Sequence, residues 1–206
     1  MKYAFPFTSV MVFAIFSFLF MMLVKRSRRR TDQKMSQFWQ QETAANQVRK
    51  QDISTLDYVY IPLETLPFGV GQTPEITRLE GIIRDLDTKQ IVNLSQYTNT
   101  ELKLKYGVAN LDVLSACDDR FTTLIRTLYQ WSCLLLNSGH LDAAIQVAEY
   151  SIDIGSDISG CYYMLADYYN SVQDTTALNR LKESADKLTG LNANTIKDYL
   201  NKSPER

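Results

Sequence analysis

Hydrophobic and polar positions divide the chain into an apolar start and a longer, mixed remainder. Residues 3–24 contain no charged side chain, and a basic stretch begins directly behind them. A helix rises about 1.5 Å per residue, so this segment is long enough to cross the roughly 30 Å hydrocarbon layer of a bilayer. Because no small-residue cleavage site follows, the pattern favours a single N-terminal transmembrane helix over a cleaved signal peptide.

The basic stretch gives the expected orientation of that helix. Five basic residues follow the span within six positions, namely Lys25, Arg26, Arg28, Arg29 and Arg30, whereas Lys2 alone precedes it. Lys and Arg beside a span stay on the cytoplasmic side, so we expect the N-terminus outside and residues 25–206 in the cytoplasm. The same five residues can also attract anionic lipid headgroups, each contributing on the order of 1 kcal/mol near the surface.

Two segments of different character follow the anchor and its flank (residues 1–30). Residues 31–51 are polar and lack Gly and Pro, which predicts a helix leaving the membrane, with Trp39 either at the interface or packed on the domain. Residues 52–72 are rich in apolar side chains but contain Pro62, Pro67, Gly69 and Gly71, which break helices. We interpret them as an extended arm, and its apolar surface should be buried against the rest of the protein.

Helical patterns then occupy residues 73–120. Thr73 followed by Pro74 is typical of a helix N-terminus. The helix they open has an amphipathic face and ends near Lys89; its apolar residues are Ile76, Leu79, Ile83 and Leu86. Thr100 is expected to cap a short helix that runs through Tyr106 and is closed by Gly107, and Asn110 to cap a helix that starts at Leu111.

From Phe121 onward, like residues recur at a shift of 34 positions. In the first helix of each unit the matched pairs are Leu128 with Tyr162, Trp131 with Leu165, Ser132 with Ala166 and Leu135 with Tyr169. In the second helix they are Ala143 with Ala177, Val147 with Leu181, Ser151 with Ala185 and Ile154 with Leu188. Turn signals at residues 138–140 and 173–175, with a break at 155–156, make each unit a helix, a turn and a helix. Residues 121–190 therefore hold two repeats, and residues 191–206 a capping helix and tail.

This 34-residue period resembles the tetratricopeptide repeat (TPR) family. The aromatic, Leu, small residue and Tyr of that family's first helix match Tyr162, Leu165, Ala166 and Tyr169, although the second turn lacks the usual Gly. The resemblance implies an all-α, TPR-like fold whose first helices line a groove for a protein or peptide. Carried onto this sequence, the groove residues are Arg126, Tyr129, Cys133, Asn137, Tyr163, Asp167 and Asn170.

Charge and candidate chemistry narrow the function. The net charge is −1, but residues 1–30 carry six basic residues and no acid, so the remainder is acidic, which argues against nucleic-acid binding. The three cysteines are widely spaced and His140 is the sole histidine, which favours neither a zinc site nor a disulfide framework. Neither Asp118-Asp119 nor Gly69-Val70-Gly71 has the spacing of a catalytic pair or a phosphate-binding loop.

The sequence thus predicts a non-enzymatic, membrane-anchored cytoplasmic adaptor or scaffold that needs no cofactor or metal. Its partner would be a protein or peptide held by the TPR-like domain. Two other functions remain open: a structural subunit of a membrane complex, in which the transmembrane helix itself makes contacts, and an enzyme whose site is unrecognised.

Overall fold

The computed structural model describes residues 5–190 and 192–202, with the side chains of residues 5–9 and 30 left aside. Lys2, Tyr3 and Arg206 therefore lie outside the described residues. Within these bounds the chain is all-helical and has no β-strand, as the sequence predicts. Its α-helices are α1 (Phe5–Ala45), α2 (Pro74–Asp87), α3 (Asn99–Tyr106), α4 (Leu111–Asn137), α5 (Leu141–Asp153), α6 (Ser159–Ser171), α7 (Thr175–Asp186) and α8 (Ala193–Lys202), and Val108–Asn110 forms a 3-10 turn.

The helices belong to two compact units. One combines residues 1–51 with residues 99–109 and contains α1 and α3; the other combines residues 52–98 with residues 110–206 and contains α2 and α4 to α8. In the first unit, α1 is uninterrupted, so the basic flank lies inside the helix. α1 ends at Ala45, six residues before the end predicted for the juxtamembrane helix, because the chain turns at residues 46 and 47. Trp39 is 60% exposed and its ring contacts that of Phe38.

The end of α1 is held by α3. The Glu42 carboxylate accepts a hydrogen bond from the Thr100 hydroxyl at 2.6 Å and pairs with the Lys103 ammonium at 2.8 Å. Bonding to Lys103, and then to Thr100, lowers the pKa of Glu42. The prediction that Thr100 caps α3 is therefore wrong, because the helix begins one residue earlier and the hydroxyl turns to Glu42. Gly107 closes α3 as predicted, with φ +84°.

In the second unit, two predicted helix starts have different outcomes. Thr73 caps α2 as predicted, since its side chain accepts a hydrogen bond from Ile76 N at 3.2 Å. α4 begins at Leu111 as predicted, but the Asn110 side chain makes no cap hydrogen bond. Asn110 lies at the end of the 3-10 turn with φ −95° and ψ −10°, a helical rather than an extended backbone, so its side chain is not placed as an N-cap requires.

The arm of residues 52–72 packs into the core of this unit, as its apolar content predicts. Ile61 and Leu66 are buried, and Phe68 lies against Trp131 with ring centroids 5.0 Å apart. The arm is not extended, however. It folds through successive turns, including the bond from Leu66 N to Pro62 O at 3.1 Å, because its prolines and glycines favour turns over strand.

The α4–α5 and α6–α7 hairpins share backbone hydrogen bonds at their turns at a shift of 34 residues. In the first turn His140 N donates to Leu135 O at 2.9 Å, and in the second Asp174 N donates to Tyr169 O, also at 2.9 Å. The matched apolar and small positions are buried alike in both units; these are Leu128, Trp131, Ser132, Leu135, Val147 and Ser151, and then Tyr162, Leu165, Ala166, Tyr169, Leu181 and Ala185. The two hairpins are thus alike in these turn bonds and in these buried positions.

The turn that lacks glycine keeps a left-handed residue at the matching position. Gly139 has φ +82°, and Gln173, 34 residues later, has φ +57°. Glutamine in this left-handed region costs about 1–2 kcal/mol, so the surrounding hydrogen bonds and packing impose the conformation. The second turn therefore forms without glycine, at a cost in free energy.

Different elements cover the two ends of the hairpin pair. α2 and the arm pack on α4 and α5, so that Ile76, Leu79 and Ile83 share one core cluster with Trp131. α8 packs on α6 and α7 through the buried side chains of Ile196 and Leu200, and it lies within residues 191–206, where the sequence predicts an end helix. Each apolar end of the pair is thereby removed from water.

We expect Ile61→Ala to lower the free energy of unfolding by about 2–5 kcal/mol, because it leaves a cavity in the cluster around Trp131. Tyr60→Ala is the matched control: Tyr60 is 76% exposed, and a surface change should stay within about 0.5 kcal/mol. Thermal unfolding of the full chain in detergent micelles measures both. Equal midpoints for the two variants would contradict the assignment of the arm to the core.

Candidate functional site

The residues predicted to line a groove lie on α4 and α6, but their environments differ. Arg126, Asn137 and Asp167 are exposed, whereas Tyr129, Cys133, Tyr163 and Asn170 are half-buried. The two tyrosines each pack against a neighbouring helix of the same chain. The face predicted to form the groove is therefore partly covered by other helices of the same chain.

Tyr129 contacts the start of α6. A Cβ added at Gly160 would lie 2.3–2.4 Å from the Tyr129 ring and hydroxyl, so only glycine leaves room for the ring. Hydrogen bonding to Cys133, together with burial, raises the pKa of the Tyr129 hydroxyl. Tyr129 thus joins α4 to α6, and its ring fills a gap left by the absent side chain.

Tyr163 contacts the end helix. Its ring centroid is 4.1 Å from that of Tyr199 on α8. The Tyr199 hydroxyl donates to Asp167 Oδ1 at 2.7 Å, and this bond raises the pKa of Tyr199. Two of the predicted groove residues in the second repeat are therefore covered in part by α8.

Arg126 and Asn137 leave an exposed strip along α4. They are eleven positions apart, which is three helical turns or about 16 Å. A guanidinium and an amide can both bond to a peptide backbone, and their spacing matches about five residues of extended chain. The strip suits binding in an extended conformation, with the tyrosines serving as packed support.

A second concave surface, the α5–α7 cleft, lies between α5 and the α6–α7 hairpin and encloses about 380 Å³. Asp142, Ile145 and Glu149 face it from α5, spaced three and four residues apart. Glu149 Oε1 accepts the Tyr169 hydroxyl at 2.6 Å. Burial is the main cause, and this bond the next, of the raised pKa of Tyr169.

No cluster of metal-binding side chains occurs among the described residues. They hold no group of three or more His, Cys, Asp or Glu side chains that could bind a metal ion. His140 is exposed in the turn before α5, as predicted, and the ring lies beside Gly71 of the arm. Asp118 accepts a hydrogen bond from Leu94 N at 2.8 Å, which gives it a structural role.

Comparison with known proteins adds no relative. No protein-family model, curated protein or solved structure matches the chain. Function therefore has to be inferred from the chain's own surfaces: the apolar part of α1, the strip on α4 and the α5–α7 cleft.

Sequence reasoning missed the α5–α7 cleft. Its walls come from three helices, so no local motif marks it. A signal was available, because Asp142, Ile145 and Glu149 share one face of α5 and this face mixes charged with apolar side chains. Spacing alone could not show that the α6–α7 hairpin lies opposite that face.

We expect Gly160→Ala to displace the Tyr129 ring and to lower the free energy of unfolding by about 1–3 kcal/mol. Adding Tyr129→Ala should restore part of that loss, because the clash disappears. Gly81→Ala is the control, since nothing lies within 4 Å of its added Cβ, and it should be neutral or stabilising. Thermal unfolding of the unaltered protein, Gly160→Ala, Tyr129→Ala and the double variant completes the cycle, and strictly additive changes would refute the contact.

Proposed function

We propose that the chain is a membrane-anchored cytoplasmic adaptor that binds a protein or peptide through a TPR-like helical domain. The supporting observation is the surface of α1. Its large apolar side chains from Val10 to Leu23 are 50–71% exposed, and the helix contains a stretch long and apolar enough to cross a membrane. A continuous apolar surface of this kind must be covered, and lipid is the covering that its length fits.

Orientation follows from the residues just beyond that surface. The side chains of Lys25, Arg26, Arg28 and Arg29 are exposed on the same helix. In the proposed arrangement they lie at the cytoplasmic headgroups, where anionic lipid compensates their charge. The second unit is then cytoplasmic, where its three cysteines stay reduced.

Recognition is proposed for the face of α4 and α6. The supporting observation is the 34-residue match in hydrogen bonds and burial, because stacked helix hairpins of this period present their first helices on one side. The strip with Arg126 and Asn137 is the part of this face most open to a partner. The residues proposed to contact or support the partner are Arg126, Tyr129, Cys133, Asn137, Tyr163, Asp167 and Asn170.

For the anchor, we expect a reporter enzyme that is active only outside the cytoplasm to be silent when fused after Arg206. Replacing Lys25, Arg26, Arg28, Arg29 and Arg30 by Gln leaves Lys2 as the basic residue at the apolar segment, so reporter activity should rise severalfold. High activity of the unaltered fusion would contradict the proposed orientation.

For the recognition face, we expect a photo-crosslinking side chain at position 126 or 137 to give a discrete adduct of higher mass in the native membrane. Both positions are exposed, so the replacement leaves the fold intact. Glu75 and Arg78 on α2 are exposed control positions off this face. Equal adducts from all four positions, or none from the first two, would refute this binding surface.

A further inference from the structure

We propose that the α5–α7 cleft is a second binding site, and that it receives an irregular peptide segment of a partner protein carrying a Lys or Arg side chain. This site is separate from the recognition face of α4 and α6. Three observations carry the inference: what fills the corresponding place in the first repeat, the charge of the cleft, and its apolar floor.

In the first repeat, the corresponding place is filled by the chain's own arm. Gln146, which also lines the α5–α7 cleft, donates from Nε2 to Thr65 O at 2.6 Å. A Cβ at Gly71 would lie 3.0 Å from the His140 ring. Ala143, between these two on α5, packs on the core cluster that holds Ile61 of the arm. A segment of turns, not a helix, therefore covers this side of α5.

The same positions in the second repeat line the open cleft. Asp174, Ala177 and Arg180 each lie 34 residues after His140, Ala143 and Gln146, and all three face the cleft. The first repeat thus shows what kind of segment these positions hold. Arg180 takes the place of the glutamine that donates to an arm carbonyl, and a guanidinium can donate to a peptide carbonyl in the same way.

The charge of the cleft determines which irregular peptide segments it favours. Asp142, Glu149 and Asp174 bring three carboxylates to the cleft against the single guanidinium of Arg180. Asp174 also caps α7, because its Oδ1 accepts a hydrogen bond from Ala177 N at 2.9 Å. None of the ion pairs found in the described part of the chain involves these four residues. Burial and the nearby Glu149 charge also raise the pKa of Asp153, which follows on α5. The excess of negative charge favours a cationic side chain, and since the described carboxylates form no metal-binding group, a peptide fits better than an ion.

The floor of the cleft suits the stem of that side chain. Val172 is 53% exposed, and Ile145 and Tyr168 line the space beside it. Lys and Arg lay their methylene stems along apolar surface, and their charged ends are attracted to the face of a tyrosine ring. The cleft therefore offers a place for each part of a basic side chain, and Arg180 for the backbone beside it.

The test is an NMR titration of the full chain in phosphatidylcholine nanodiscs, observing the methyl groups of Ile145, Val172 and Ala177. The probe is acetyl-Leu-Lys-Pro-Phe-Gly-amide, which follows the arm sequence at residues 66–69 with one lysine inserted. Up to about 10 mM we expect saturable shifts at these methyls. The same peptide with acetyl-lysine, which keeps the stem but loses the charge, should bind severalfold more weakly.

Variants separate the contribution of the carboxylates from that of Arg180. Asp142→Asn with Glu149→Gln should weaken binding about fivefold or more, whereas Asp119→Asn with Asp198→Asn makes the same charge change at exposed positions away from the cleft and should not. Arg180→Leu should weaken binding, and Arg180→Gln should retain most of it, as Gln146 does for the arm. Unaltered thermal unfolding of each variant shows that folding is intact.

Several outcomes would overturn the proposal. These are the absence of saturable shifts at the three methyls, equal binding of the acetyl-lysine peptide, or unchanged affinity in the Asp142/Glu149 variant. Tighter binding by a peptide of residues 25–34 than by the probe would replace the foreign partner with a second copy of this chain. None of these results changes the crosslinking expected at positions 126 and 137, so the α4–α6 face is tested independently of the cleft.

Discussion

The need to cover the apolar end of α4 and α5 is the constraint on which the second unit depends. Trp131 is fully buried, and it is the arm, through Phe68, that closes over it. Two helix hairpins alone cannot bury both of their outer faces, which is why repeat proteins need additional units or caps. Here α2 and the arm do this at one end and α8 at the other, so that two repeats suffice.

The second turn shows that tertiary context, and not residue type, determines the repeat. Gln173 has a positive φ, as Gly139 does, and the backbone hydrogen bond from Asp174 to Tyr169 corresponds to the bond from His140 to Leu135. A sequence pattern that requires glycine would reject this unit. The packing of Tyr169 and Leu178 fixes the ends of α6 and α7, and the turn between them follows from those ends.

How well the sequence predicts a feature depends on how far apart in the chain the interacting residues lie. Local signals gave the cap at Thr73, the stop at Gly107 and the turns between the repeat helices, because each depends on a few neighbouring residues. The bond of Thr100 to Glu42 and the contact of Tyr163 with Tyr199 join residues distant in the chain, so spacing could not reveal them. For the candidate site, periodicity placed the residues on the correct helices but could not show which were already covered.

The open α5–α7 cleft and the side of α5 that the arm covers are formed by corresponding positions of the two hairpins. A repeat presents the same positions in each unit, but the chain has one arm, and the arm lies where it can close over Trp131. The following unit has Leu165 in place of that tryptophan, already buried with α7 and α8, so its core needs no second arm. The positions that correspond to His140, Ala143 and Gln146 therefore remain available. The alanine recurs as Ala177, whereas the histidine and the glutamine are replaced by Asp174 and Arg180. Repeat surface that is not needed to complete the core can be used to bind a partner.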